Sequence, residues 1–346
     1  MKYINRFLQV LLVWALAAVL ASCGSGGGAP KQDKEGGAAK PATPENVVLK
    51  AVSAWPEKNK MNDALWMLQK KLQEKSQGKL TIQWSGGPES IPPFQLAEAL
   101  RSGVVDLAWT AHTYNVSQLP LAEGAKLSRL TPWEERAGGA YDFLNRLYQE
   151  KMNSFYLGKG TPNLQYNLYT NVPAKAVADF KGLTIRVTPA YQAFVQALGA
   201  APVTTDPGEV YTALERKVIV GYGWPSVGIM DFGWHEKTRY VIEPAFYQVD
   251  VIALVNMNAW KRLSPENQKL LAECMQEVER EAHRHFGDLV ARDRDLLKGK
   301  GVEVLPLPAE EAGKYLDAAY RAGWDSVIKK SPQEGPQLQK LLSKDS

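Results

Sequence analysis

The segment "PFQLAEALRSGVVDLAWTA", residues 93–111, changes its hydrophobic period once. Its first part, through Gly103, spaces apolar residues as one face of a helix does, and "VVDLAWTA" after it reads as a strand. The same alternation extends in both directions. Upstream lie "VVLKAVSAW" (47–55) as a strand, Met61 to Gln77 as an amphipathic helix and "KLTIQWSGG" (79–87) as a strand. After residue 160 come "LQYNLYTN" (164–171) as a strand, "KAVADFKG" (175–182) as a turn and helix, and "LTIRVT" (183–188) as a strand. Tyr191 to Leu198 then forms a helix, "APVTT" (201–205) a short strand and "PGEVYTALERK" (207–217) a helix. Strands alternating with helices are the signature of an α/β fold with a largely parallel sheet.

Two lobes are expected. At 346 residues, 45% of them apolar and 23% charged, the chain exceeds one small domain and can bury a sizeable core. A weak internal echo agrees with this: "ALRSGVVDLAW" (99–109) can be laid over "ALERKVIVGYG" (213–223), each running a helix end into a buried strand. The formal charge of +4 is modest, and Lys and Arg are scattered among Asp and Glu without a basic run. That pattern carries no nucleic-acid footprint.

The N-terminus reads as an export signal. Lys2 and Arg6 precede an apolar run from Phe7 to Ala21, which is short for a bilayer span of about 20 residues. The order Leu20, Ala21, Ser22, Cys23 resembles the lipobox of bacterial lipoproteins. Residues 1–22 would then be the signal peptide and Cys23 the lipidated first mature residue. The chain would sit on the periplasmic side of a bacterial membrane, held by acyl chains. Residues 23–45 carry that cysteine and a tether rich in Gly, Ala, Pro and Lys, which cannot offset its own ordering entropy. Once Cys23 is acylated only Cys274 remains, so no intrachain disulfide can form, and the helical context "LLAECMQEV" makes Cys274 a buried apolar residue.

Two further features bear on the site. Ser264 as N-cap and Pro265 at the first helical position open a helical pattern that can run to about Lys298, with a break expected near Gly287. Roughly 30 residues of helix span about 45 Å, enough to brace both lobes. In "KGLTIRVTPA" (181–190), Leu183, Ile185 and Val187 alternate with Thr184, Arg186 and Thr188. A guanidinium is thus aimed at one side of a sheet, where it needs water, a protein carboxylate or a ligand anion.

"ALRSGVVDLAW", "YNVSQLPLAEGAKL" (114–127), "VADFKGLTIRV" (177–187), "ALGAAPVTTDPGEVYTAL" (197–214) and "WKRLSPENQKLLAEC" (260–274), in this order, resemble the solute-binding proteins of tripartite ATP-independent periplasmic (TRAP) transporters, the DctP family. The resemblance covers nearly the whole mature chain. It implies a two-lobed periplasmic-binding-protein fold with a hinge, in which α/β lobes close over an organic acid and deliver it to TRAP membrane permease subunits. A long C-terminal helix braces both lobes. Lobe 1 would take residues 46–163 plus about 252–291, and lobe 2 residues 164–251 plus about 292–335. Some lipoprotein members of the family also pair with a periplasmic tetratricopeptide-repeat protein, which the resemblance implies as an optional second partner.

The family's "GLKIRV" element carries an arginine that clamps the ligand carboxylate, and "GLTIRV" sets Arg186 on it. A planar fork of donors matches two carboxylate oxygens and keeps its charge at all relevant pH values. Departures narrow the ligand. Many members carry a second arginine in a "G-F-R-x-x-T-N" strand, near which this chain has Asn167. The stretch "KVIVGYGWP" (217–225) sets Trp224 where a polar contact is frequent and Val220 where an acidic residue is frequent. With Trp55, Trp109, Tyr114, Tyr166, Tyr169 and Trp234, these changes imply one carboxylate clamp in an aromatic or aliphatic cleft. The expected ligand is a monocarboxylate with an apolar or aromatic body.

Catalytic patterns are missing. The chain lacks G-x-S-x-G, a Gly-rich phosphate loop, H-E-x-x-H and paired Cys ligands. His283 and His285 point to different faces of a helix, and His112 and His235 are isolated, so no metal or cofactor is expected. The alternative to a transport receptor is a sensing or interaction lipoprotein that keeps the fold without transport.

Overall fold

The computed structural model describes residues 46–343. The signal segment, Cys23 and the tether lie outside these residues. The described strands are β1 (Val47–Ser53), β2 (Leu80–Gly86), β3 (Leu107–Ala111), β4 (Ser154–Lys159), β5 (Tyr166–Thr170), β6 (Thr184–Val187), β7 (Ala201–Thr204), β8 (Gly221–Pro225), β9 (Tyr240–Glu243), β10 (Val251–Asn256) and β11 (Glu303–Pro306). The α-helices are α1 (Asp63–Lys75), α2 (Pro93–Ser102), α3 (Pro132–Ala137), α4 (Ala140–Met152), α5 (Gln192–Ala197), α6 (Val210–Glu215), α7 (Met257–Arg262), α8 (Pro265–Gly299), α9 (Ala309–Lys330) and α10 (Gly335–Leu342).

Two sheets form, one per lobe. The first has the order β2-β1-β3-β10-β4 and the second β11-β9-β5-β8-β6-β7. Each is parallel where strand follows helix locally: β1 pairs in parallel with β2 and β3, and β6 with β7 and β8. The expectation of a largely parallel sheet fails at the strands that join the lobes. β5, entering from lobe 1, runs antiparallel to β8 and β9, and β10, returning from lobe 2, runs antiparallel to β3 and β4. Local periodicity carries no sign of this, because strand direction here is set by where the chain crosses.

The first crossing, residues 160–165, begins at Gly160, where an added Cβ would lie 2.3 Å from the Trp109 ring. Only a glycine lets the backbone leave lobe 1 against that indole. The second crossing, residues 244–250, leads back into β10.

α8 is the third link. Its Ser264 N-cap side chain accepts from the Asn267 N–H at 3.3 Å, and the helix runs 35 residues, or about 52 Å, without a break at Gly287. Glu279 in its first half pairs with Arg136 of lobe 1, and Asp293 in its second half accepts from the Gly228 N–H of lobe 2. α9 also touches both lobes: Tyr315 packs edge-on against Phe194, while Trp324 and Val327 lie over Gly124. Cys274 is buried within the core.

The core is divided by the second sheet. Leu168, Ile185 and Val187 belong to a large apolar cluster that continues into lobe 1, whereas Tyr169, Tyr222, Trp224 and Trp234 form a smaller cluster with Leu214 and Leu297.

Candidate functional site

β6 ends where the two lobes meet, and Arg186 is its penultimate residue. The side chain is 1% exposed. Its Nε and Nη2 donate to the Thr205 carbonyl at 3.0 and 2.8 Å, and Nη1 donates to the Tyr191 hydroxyl at 3.3 Å. A guanidinium has five N–H groups. Three are committed, so one N–H on each Nη remains as the fork open to a carboxylate.

No protein carboxylate takes that fork. The other buried cations of the described residues are paired, Lys126 with Glu123 at 2.9 Å and Lys159 with Glu135 at 2.6 Å. Arg186 is the buried cation among the described residues without an acidic partner. A lone buried charge is expensive unless compensated, so the geometry calls for an anion from outside.

Tyr191 fixes the arginine. Its hydroxyl donates to the Gly223 carbonyl at 2.6 Å while accepting from Arg186. The ring occupies the space a side chain at Gly223 would need, since an added Cβ there would lie 2.3 Å from it. Trp224, the next residue, sets its indole 5.7 Å from the Arg186 guanidinium.

Two neighbouring spaces surround this group. An outer cavity of about 210 Å³ brings Arg186, Thr188, Asp206 and Glu209 of lobe 2 to Phe94 and Tyr114 of lobe 1. An inner one of about 20 Å³ is lined by Trp55, Tyr114, Thr113, Tyr166, Thr188, Tyr191 and Trp224. Tyr114 and Thr188 border both. Tyr114 packs at 5.9 Å from Trp55 and edge-on at 5.0 Å from Phe94, so the lobe 1 wall is aromatic.

Behind the inner space sits Asp250, 2% exposed. It accepts from the Thr113 N–H of lobe 1 at 3.0 Å and from the Tyr166 hydroxyl of lobe 2 at 3.4 Å. Burial pushes its carboxyl up from the ordinary 3.8 to about 6.

Of the residues nominated from sequence, the structure brings together Arg186, Trp55, Tyr114 and Trp224, with Tyr166 beside them. Four others are held elsewhere. Asn167 spends its amide on the Ile242 carbonyl and the Ser226 hydroxyl, and it lines a separate cavity next to α8 with Glu243 and Arg294. Tyr169 stacks on Tyr222 and donates to the Pro225 carbonyl within the smaller core. Trp109 is fully buried and donates to the Met61 carbonyl at 2.8 Å beside Gly160. Trp234, too, belongs to the smaller core.

Sequence reasoning missed Thr188, Tyr191, Asp206 and Asp250. Thr188 repeats the period of Arg186, and Asp250 is the lone charge opening the apolar run "VDVIALV", so both left a signal. Among the described residues no group of acidic, His or Cys side chains has the arrangement of a metal site.

A family model described as bacterial extracellular solute-binding protein, family 7, matches residues 51–330. A monocarboxylate 2-oxoacid-binding periplasmic protein of Nostoc is 23% identical over 294 residues, which is 81% of this chain and 78% of that protein. The crystal structure of a TRAP periplasmic solute-binding protein from Desulfovibrio salexigens with bound orotic acid superposes with a TM-score of 0.76 at 20% identity, covering 85% of this chain and 97% of that one. An extracytoplasmic solute receptor of Bordetella pertussis that binds pyroglutamic acid gives 0.73 at 20% identity, covering 86% and 100%.

Proposed function

From the premise that the chain belongs to family 7 of the bacterial extracellular solute-binding proteins, the DctP family, we propose that it is the periplasmic receptor of a TRAP transporter. It captures a monocarboxylate with an apolar or aromatic body by lobe closure and presents it to the membrane permease. The observation that carries this reading is Arg186, a buried cation with two free N–H groups and no acidic partner.

Charge around the fork supports one carboxylate over two. Asp206 and Glu209 share the outer cavity with Arg186, and Asp250 lies buried behind the inner one. A second ligand carboxylate would face these like charges at low dielectric in either direction. The aromatic wall of Trp55, Tyr114 and Trp224 suits an apolar body. The relatives that bind 2-oxoacids, orotic acid and pyroglutamic acid are consistent with an organic acid here.

The lipobox-like order at Cys23 supports a lipid anchor that keeps the receptor at the membrane, beside its permease and an optional tetratricopeptide-repeat partner. Native mass spectrometry of gently purified protein, followed by a thermal-shift screen of mono- and dicarboxylates, tests the ligand class. Stabilisation by apolar monocarboxylates is expected. A screen in which dicarboxylates stabilise more strongly would reject it.

A further inference from the structure

We propose that Thr188 reads an oxygen on the carbon next to the ligand carboxylate, which makes the ligand a 2-oxo or 2-hydroxy acid. This rests on the carboxylate reading of Arg186 and extends it.

Three observations carry the assignment. The Thr188 hydroxyl is buried and has no hydrogen-bond partner. Its residue borders both the cavity of Arg186 and the aromatic inner space. The backbone at Thr188 stays extended, with φ −101° and ψ 168°, so it continues the alternation of β6. Arg186 and Thr188 therefore lie on the same side of the strand, about 6.6 Å apart along it.

With the carboxylate on the Nη1–Nη2 fork, the substituent at C2 is the next ligand group along β6, within reach of Oγ1. A hydroxyl both donates and accepts, so it satisfies a ketone or an alcohol alike. A ligand with only hydrogens at C2 leaves the buried hydroxyl unpaired, and sites of this kind discriminate strongly against the analogue that lacks the group. The Tyr191 hydroxyl lies beside Oγ1 but is committed to the Gly223 carbonyl and Arg186, and no protein hydrogen bond is completed at Oγ1.

The test uses four acids with one carbon skeleton: 4-methyl-2-oxopentanoate, 2-hydroxy-4-methylpentanoate, leucine and 4-methylpentanoate. Isothermal titration of the full chain should show the oxo and hydroxy acids binding about tenfold or more tighter than 4-methylpentanoate. Thr188→Val should bring that ratio to within about threefold with little change in Tm, since Oγ1 completes no hydrogen bond in the fold, and Thr188→Ser should restore it. Equal binding of 4-methylpentanoate to wild type, or a preference unchanged in Thr188→Val, overturns the assignment and leaves the carboxylate clamp standing. Preference for leucine also overturns it, because Asp206 and Glu209 would then be reading an ammonium. If none of the four binds wild type, the apolar monocarboxylate reading itself fails and this inference falls with it.

Discussion

Replacing Arg186 by Gln should separate binding from stability. In the ligand-free protein the substitution deletes three hydrogen bonds, two to the Thr205 carbonyl and one to the Tyr191 hydroxyl, each worth about 1 kcal/mol net. It also removes a charge that is buried without an acidic partner, a cost of similar or larger size in the opposite direction. Folding stability should therefore move by no more than about 1–2 kcal/mol either way. Affinity should not be spared. Truncating one partner of a desolvated, hydrogen-bonded charge pair costs about 2–5 kcal/mol, which is roughly 30-fold to several thousand-fold in Kd. Arg186→Lys sharpens the experiment, because it keeps the charge and loses the fork. A single ammonium cannot both hold the Thr205 carbonyl and grip two carboxylate oxygens, so it too should weaken binding by at least about tenfold. The assay is isothermal titration with the acid that emerges from the thermal-shift screen, alongside thermal unfolding without ligand. A Gln variant that binds within threefold of wild type would refute the clamp. Equal binding by the Lys variant would reduce it to a point charge.

Asp250→Asn should stabilise the protein and flatten its pH dependence. A buried carboxyl raised from 3.8 to about 6 favours its neutral form in the fold, so wild type loses stability as pH climbs through that window and stays lower above it. The difference is up to about 3 kcal/mol at pH 7, read by urea unfolding at pH 4 and pH 7. A wild type equally stable at both, with no gain from the amide, would contradict it. Asn167→Ala should leave ligand affinity within about twofold while lowering Tm, because its amide serves Ile242 and Ser226. A tenfold loss of affinity would restore it to the ligand site. Gly223→Ala should cost both Tm and affinity, since its Cβ would meet the Tyr191 ring that steadies Arg186. Unchanged binding would show that Tyr191 does not position the arginine.

Period and residue type carried β1 to β3, β5 to β8, the long helix and Arg186, but they left β4, β9, β10 and β11 unread and failed wherever the answer depended on which strand lies alongside. Leu183 to Thr188 alternates plainly, so the polar side of β6 was legible. The face of β5 that meets the cleft was not. Asn167 and Trp224 are cross-strand partners, yet Asn167 turns to the Ser226 and Ile242 side and Trp224 reaches the inner cavity as well as the smaller core. That outcome is set by the antiparallel pairing of β5 with β8, a consequence of the chain's passage between lobes. The aromatics divide in the same way. Trp55, Tyr114 and Tyr166 face the cleft, while Trp109, Tyr169 and Trp234 fill cores, and no local pattern sorts the two groups because burial looks alike on either side of a sheet.

Arg186 and Asp250 together account for why closure would require a ligand of one charge. Both are buried and neither lies within ion-pair distance of a partner among the described residues, while the Lys126 charge partly offsets the effect of burial on Asp250. Tyr114, on the opposite wall, feels the fields of both, and burial with the nearby Asp250 and Asp206 charges outweighs Arg186 in raising its phenol above the ordinary range. An acid with its carboxylate on Arg186 and an uncharged body towards Asp250 compensates the cation and adds nothing beside the anion. A neutral molecule leaves Arg186 desolvated and alone, and a dianion sets a second carboxylate near Asp250 or the rim. Because a ligand can shift an equilibrium only by its differential affinity for the two states, only the first of these favours the closed lobes. The specificity of the proposed receptor thus follows from a buried guanidinium and a buried carboxyl at the cleft, neither of which the fold locks into an ion pair.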